Sequence, residues 1–506
     1  SNGKIGTIGC SSSAENQLRL SSANHPAHAA AIAQAPGAGI GKVGRYTEQG
    51  NTFRGGALQL LFPSWHHDYI YAGREGAKLR PQFPKGLTRE ERIRADKVYN
   101  LQANWGWGST REGMDYHAYY RHLPVSELNV AMDGPVTPWE SFSTWTPMDE
   151  RWGEIPLSNE GDTFGVPMIW AFSWYDIGMA ANVEMFNYAR DNTSTNRAKD
   201  NQYLVIGPMP HCAFGKETED SVVGTRELGD ARFDYQKLYL DFFDTFLKGE
   251  RNKVTRTPAV QYYLMGKNQW VSGNQFPLKG TEMVELYLGS GGSANSLYGD
   301  GTLRFDSAPE QDTPDSYTYD PMRPVPTKGG GVCCMGDEVE SGAFDQSDLE
   351  MRHDVLVYTT PELQEGVNVA GFVEIELYVS SDARDTDFTV KLIDVYPDGR
   401  AYNLDDSIMR ARYRDGYDKT VMMEEGKVYK VAFSPLITAN YFKPGHKIRI
   451  EVSSSNFPRY GRNLNTGGNN FDESEPVLAR NKIHHSTRYP SLIRLPVLSS
   501  NFISSQ

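Results

Sequence analysis

"KIGTIGCSSSAENQLRLSS", residues Lys4 to Ser22, is the stretch whose reading decides the fold. A short strand-like run, Lys4–Gly9, breaks off at three serines and passes directly into a helix-forming segment, Ala14–Ser22. A strand that enters a helix through a sharp turn holds the turn side chain exposed at the end of a sheet. Such a turn needs the pattern small-x-Ser-x-small, because the backbone passes too close to its neighbours for large flanks. Gly9-Cys10-Ser11-Ser12-Ser13 fits with Ser11 at the centre. Centring on Ser12 makes Cys10 and Ala14 the flanks and loses the glycine; centring on Ser13 fails, because Glu15 becomes a flank. Ser11 is the candidate nucleophile. The competing reading is a serine-rich cap on the following helix.

Outward from this turn, strands and helices alternate. Ala29–Gln34 is the next expected strand. Val166–Phe172 (VPMIWAF) is a continuous apolar run, as a parallel strand covered on both faces requires. Ile177–Arg190 reads as a helix and Tyr203–Gly207 as another buried strand. Phe233–Lys248 is an amphipathic helix with Tyr235, Leu238, Tyr239, Phe242 and Phe246 on one side. This alternation predicts an α/β domain with a parallel sheet. The pattern lapses from about Arg45 to Glu160, where six of the nine tryptophans fall. That stretch is expected to be an insertion with a large apolar lining. From about Met283 the period becomes two. Val373, Ile375, Leu377 and Val379 share one face, Glu374 and Glu376 the other, and Lys447–Val452 alternates likewise. With the Pro-Asp-Gly turn in Tyr396–Tyr402, this predicts an all-β sandwich or jelly roll.

Composition narrows the function. The chain of 506 residues has room for two or three domains. Its net charge of −13 argues against a nucleic-acid partner, which would need a basic face. No apolar run approaches the ~18 residues of a membrane span, so a soluble protein is expected, in the cytoplasm, the periplasm or outside the cell. Cys10, Cys212, Cys333 and Cys334 contain no C-x-x-C pair, so neither a disulfide framework nor a zinc site is expected. Cys333-Cys334 reads as a pair of buried free thiols. Pro26 separates His25 from His28, and His66-His67 and His484-His485 are adjacent pairs, poorly suited to holding one metal. No metal and no cofactor are expected.

A serine hydroxyl is a weak nucleophile; it needs a base, and the base needs a carboxylate to fix its tautomer. When the nucleophile comes first in the chain, the acid and then the histidine follow it. Active groups lie beyond the carboxyl ends of parallel strands. Asp176, after VPMIWAF, and His211, after YLVIG, meet both conditions. Either alone has an ordinary explanation, Asp176 as a helix cap and His211 as a loop residue. Three residues in the right order, each at the end of its own strand, are hard to obtain by chance.

With these residues placed, the chain resembles the cocaine-esterase-like branch of the α/β-hydrolases, which includes X-Pro dipeptidyl-peptidases, α-amino-acid ester hydrolases and glutaryl-cephalosporin acylases. The likeness rests on "GKIGTIGCSS", "WYDIGM" and "VIGPMPH", and on "LMGKNQW", "TDFTVKLIDVYPDGRA" and "SSSNFPRYGRNLNTGG". It implies an α/β-hydrolase core over 1–46 and 161–265, a mostly helical cap over 47–160 and a C-terminal β jelly roll over 283–506. By motif position it implies Ser11 as nucleophile, Asp176 as acid, His211 as base and the Ser12 N–H as an oxyanion donor. The sequence departs from the family in having Ser12 where relatives have an aromatic residue, and in lacking the first strands of the sheet and the tyrosine that gives the second oxyanion hydrogen bond. The expectation is that an N-terminal fragment, cleaved just before Ser1, supplies both.

The expected activity is hydrolysis of a small ester or amide through an acyl-enzyme on Ser11. Alternatives are an X-Pro dipeptidyl-peptidase, a glutaryl β-lactam acylase and, from another class, a dead binding protein that uses the jelly roll. The cap tryptophans, with Trp174 and Tyr175, are expected to border the acyl pocket. Asp149-Glu150 and Glu48 are loose candidates for binding a substrate amine, against the plainer reading of solvated surface charge. A homo-oligomer is left open.

Overall fold

The computed structural model describes residues 2–61, 86–93, 115–131, 139–335 and 338–498. Its first half is built on a six-stranded sheet whose spatial order follows the chain: β1 (Ile5–Cys10), β2 (His28–Gln34), β3 (Met168–Ser173), β4 (Gln202–Gly207), β5 (Val260–Leu264) and β6 (Gln269–Gly273). Strands β1 to β5 are parallel, and β6 returns antiparallel to β5. Every residue of β3 and of β4 is buried, as the unbroken apolar runs predict for strands covered on both faces.

Three helices cover the sheet. Helix α1 (Ser12–Ser22) turns Ala14, Gln17, Leu18 and Ser21 inward, the spacing of one helical face. Helix α2 (Met179–Asp191) follows β3. Helix α3 (Tyr235–Phe243) runs into one π-helical turn, Asp244–Lys248. Phe242 and Phe246 pack there with Ala30, Ile32, Ile169, Ala171 and Tyr203 from three strands. Strand β1 lies at the edge of the sheet, and its Ile5 and Ile8 are 55% and 48% exposed.

The second half is a β domain around a twelve-stranded sheet. Its longest strand, β7 (Val367–Ser381), alternates buried and half-buried residues along the stretch where the sequence alternates. The Pro-Asp-Gly turn joins β8 (Asp387–Val395) to β9 (Ala401–Arg410). The two halves share one apolar core, in which Trp170 and Phe186 are continuous with Leu392 and Ile450. Buried Arg226 also spans them, 2.9 Å from Asp394 and 2.8 Å from Asn440.

The described part of the insertion holds short helices, among them Tyr116–Arg121, Leu128–Ala131 and Trp139–Phe142, together with two 3-10 turns and the small hairpin of Phe53–Arg54 with Ala57–Leu58. Trp139, Trp145 and Trp152 are buried in a second apolar cluster, and the rings of Trp145 and Trp152 meet edge to face at 4.7 Å. These three tryptophans pack on their neighbours and on one another. Trp65, Trp105, Trp107 and the His66-His67 pair lie outside the described residues. No helix among the described residues is long and apolar enough to cross a membrane.

Candidate active site

The turn after β1 has the strained geometry that the pentapeptide requires. Ser11 has φ 60° and ψ −132°, a positive φ that side-chain-bearing residues rarely adopt. A Cβ on Gly9 would stand 2.5 Å from Ser13 Cβ and 2.7 Å from the Ser13 carbonyl oxygen. Only glycine fits there, which is why the pattern centres on Ser11. Ser12 and Ser13 are exposed at the start of α1.

Asp176 lies between β3 and α2 and is 5% exposed. Its Oδ1 accepts from the Ile177 N–H at 2.7 Å and from Nδ1 of His211 at 2.7 Å. The aspartate therefore fixes the proton of the ring on Nδ1. Nε2 is left as an acceptor, buried and without a hydrogen-bond partner. Burial disfavours the His211 imidazolium, but Asp176, then Cys334 and Glu15, outweigh it and carry the group up to about 9.

A feature absent from the sequence expectations joins the serine to this pair. Cys10 and Cys212 form a disulfide, with their Cα atoms 6.0 Å apart across 202 residues of sequence. One flanks Ser11 and the other flanks His211, so the bridge ties the serine turn to the histidine loop. No local motif signals the bridge; it follows only once Ser11 and His211 are placed side by side. The Ser11 hydroxyl makes no hydrogen bond to the ring in this state.

Two further groups gather here. The Glu15 carboxyl on α1 is pushed upward by burial, against the lowering effect of the Ala38 N–H, which it accepts at 3.0 Å. Cys333 and Cys334 stand beside His211, and their sulfurs and a ring nitrogen all lie within 4.8 Å of one another. The pair is free, as the sequence reading has it, but not fully buried: Cys334 is exposed and Cys333 partly buried.

Other expected site residues go elsewhere. Trp174 and Tyr175 belong to the continuous core rather than to a pocket wall. The Trp174 indole donates to the Tyr263 carbonyl at 2.7 Å, and the Tyr175 hydroxyl to that of Asn403 at 3.1 Å. Their polar atoms are satisfied inside the protein, so burial is their stable state. Glu48 is buried and ion-paired with Arg54. Asp149 accepts a two-pronged bond from Arg151 at 2.8 and 2.6 Å. Glu48 and Asp149 are thus already matched by an arginine, while Glu150 lies exposed at the surface. His484 and His485 are also engaged, with Asp312 and Asp315.

A six-stranded, largely parallel sheet with a strained serine at one strand end and an Asp–His pair beyond two others defines the α/β-hydrolase class. Within it, residues 1–213 match the model of the X-Pro dipeptidyl-peptidase S15 family, and residues 252–494 that of the X-Pro dipeptidyl-peptidase C-terminal non-catalytic domain. The cocaine esterase of Rhodococcus sp. (strain MB1 Bresler) is 38% identical over 355 residues, 69% of this chain and 59% of that one. A putative serine esterase of Mycobacterium bovis is 26% identical over 314 residues, 57% of this chain and 45% of that one. The fold is that of an α-amino acid ester hydrolase, with a TM-score of 0.75 at 24% identity over 98% of this chain and 77% of the other. The chain belongs to the S15 and cocaine-esterase-like family. It spans 59% of the length of the Rhodococcus esterase and less of the mycobacterial one.

Proposed function

We propose that the protein is a serine hydrolase that transfers an acyl group from a small ester or amide to water. The observation that carries this reading is the 2.7 Å Asp176–His211 bond, held to the strained Ser11 turn by the Cys10–Cys212 bridge. In the reaction the Ser11 hydroxyl attacks the substrate carbonyl carbon while Nε2 of His211 takes its proton. Asp176 keeps the ring in the tautomer that presents Nε2 and stabilises the imidazolium that forms. Serine–histidine contacts are often long before substrate binds and tighten in the complex. The oxyanion is received by the Ser12 N–H. His211 then protonates the leaving alcohol or amine, and water releases the acid.

An ester is favoured over an N-terminal dipeptide. Two of the three carboxylates considered for a free substrate amine, Glu48 and Asp149, are already paired with Arg54 and Arg151, and the third, Glu150, is an exposed surface charge. The residues proposed for the core are 1–46 and 161–265, for the cap 47–160, and for a jelly-roll domain 283–506. Strand β1 ends the described sheet with Ile5 and Ile8 exposed, a surface suited to pairing with a further strand. An unpaired edge of this kind otherwise invites aggregation.

The test is labelling with a fluorophosphonate probe, together with rates on phenyl acetate, an α-amino-acid ester, a glutaryl amide and an X-Pro amide. Labelling at Ser11 and cleavage of an ester are expected. An inert Ser11 would overturn the enzyme reading in favour of a binding protein, and cleavage of the X-Pro amide alone would overturn the preference for esters.

A further inference from the structure

Beside the proposed base lies a cluster that hydrolysis does not use. The Sγ atoms of Cys333 and Cys334 are 2.7 Å apart, and with one nitrogen of His211 they form a triangle of donors no more than 4.8 Å on a side. Nδ1 of that ring is occupied by Asp176, and Nε2 is buried without a partner. The thiols sit on a braced loop. Gly330 and Gly342 exchange backbone hydrogen bonds of 2.8 and 3.1 Å, and the Val332 N–H donates to the Gly330 carbonyl at 3.0 Å. Gly331 runs so close to Asp176 that a Cβ would stand 2.6 Å from its carbonyl oxygen. Val332 and Met335 anchor the same loop in the aromatic cluster, while Cys334 stays open to solvent. The sulfurs are therefore held against the ring by the fold, with a way in for an ion.

Two thiolates and an imidazole are the donor set that zinc and its softer relatives prefer, with a fourth position left for water. Bonds of about 2.3 Å to sulfur and about 2.0 Å to nitrogen place such donors roughly 4 Å apart, so the two sulfurs, 2.7 Å apart without an ion, have to swing apart to enclose one. We propose that Cys333, Cys334 and His211 bind a soft divalent cation of the zinc class, and that the bound ion stops hydrolysis by occupying the imidazole nitrogen that Ser11 needs. On binding, each thiol gives up its proton to solvent, as does Nε2 of His211 where the ring is an imidazolium, and two metal–sulfur bonds and one metal–nitrogen bond form; no electron is transferred. The binding stands independently of the hydrolase reading, whereas the block rests on it.

The experiment uses the full chain, stripped with a chelator and titrated with cadmium or zinc ions. One equivalent of cadmium should raise the ultraviolet thiolate-to-cadmium charge-transfer band and release protons. One equivalent of zinc should cut ester hydrolysis by about a hundredfold, the lower range of what a general base contributes, and the chelator should restore it. The Cys333→Ser/Cys334→Ser variant should show no band, and its rate should not fall relative to its own metal-free rate. No band in the parent chain, or a band retained by the variant, overturns the site. A band without inhibition overturns the block. If the metal-free chain hydrolyses no ester, the hydrolase reading fails, and the band still decides the site.

Discussion

Ser11 at φ 60° and ψ −132° carries backbone strain of about 1–3 kcal/mol, and the turn tolerates no crowding that would relax it. Gly9→Ala sets a methyl 2.5 Å from Ser13 Cβ, so this overpacking should cost about 1–3 kcal/mol, seen as a lower melting temperature. Ser11→Ala should abolish labelling and turnover while leaving the melting temperature near that of the parent. Asp176→Asn would allow the wrong ring tautomer and should lower kcat by about 10⁴-fold on an ester substrate. The pH profile follows from His211. It acts as a base only when neutral, and its neighbours carry it up to about 9. In chelator-treated enzyme, kcat/KM should therefore keep rising with pH until about 9, above the ~6.5 of an ordinary histidine. Stability runs the other way: the paired imidazolium contributes fully below the unfolded value near 6.5, and its contribution is lost as pH rises through about 9.

Among the elements, β1, α1, β3 and β4 were legible because each carries a strong local period or an unbroken apolar run. The ends differ by a residue or two, as at the start of α1, which the sequence places at Ala14 and the structure at Ser12. The link between the serine turn and the histidine loop was not legible, since Cys10 and Cys212 are 202 residues apart and match no local motif. Closing so long a loop stabilises the fold typically by about 2–4 kcal/mol. Cys10→Ala/Cys212→Ala should lose that much in urea unfolding. It should also lose kcat, because His211 is then held only from the Asp176 side.

Across the whole molecule, the core and the β domain share one apolar interior and the buried Arg226–Asp394 pair. Removing one partner of a buried pair strands the other charge. Arg226→Ala should destabilise the protein by about 3–5 kcal/mol in denaturant titration. The β domain also sends the loop bearing Gly331, Cys333 and Cys334 onto Asp176 and His211, so it shapes the site as well as the fold. Pairings of this kind depend on how two separately patterned regions dock, and nothing local in "GGGVCCM" reports on its neighbour.

By itself the sequence determined the alternation of strand and helix, the period-two half that follows it, and the serine turn, because each is written in neighbouring residues through spacing and side-chain size. It also put Ser11, Asp176 and His211 at strand ends, where the order of a parallel sheet gathers them. Only the tertiary structure decided that Trp174 and Tyr175 turn into the core, that Glu48 is matched by Arg54, and that Cys10 meets Cys212 while Cys333 and Cys334 meet His211. Those outcomes are contacts between distant segments, and the packing of the whole chain selects among partners that are locally equivalent.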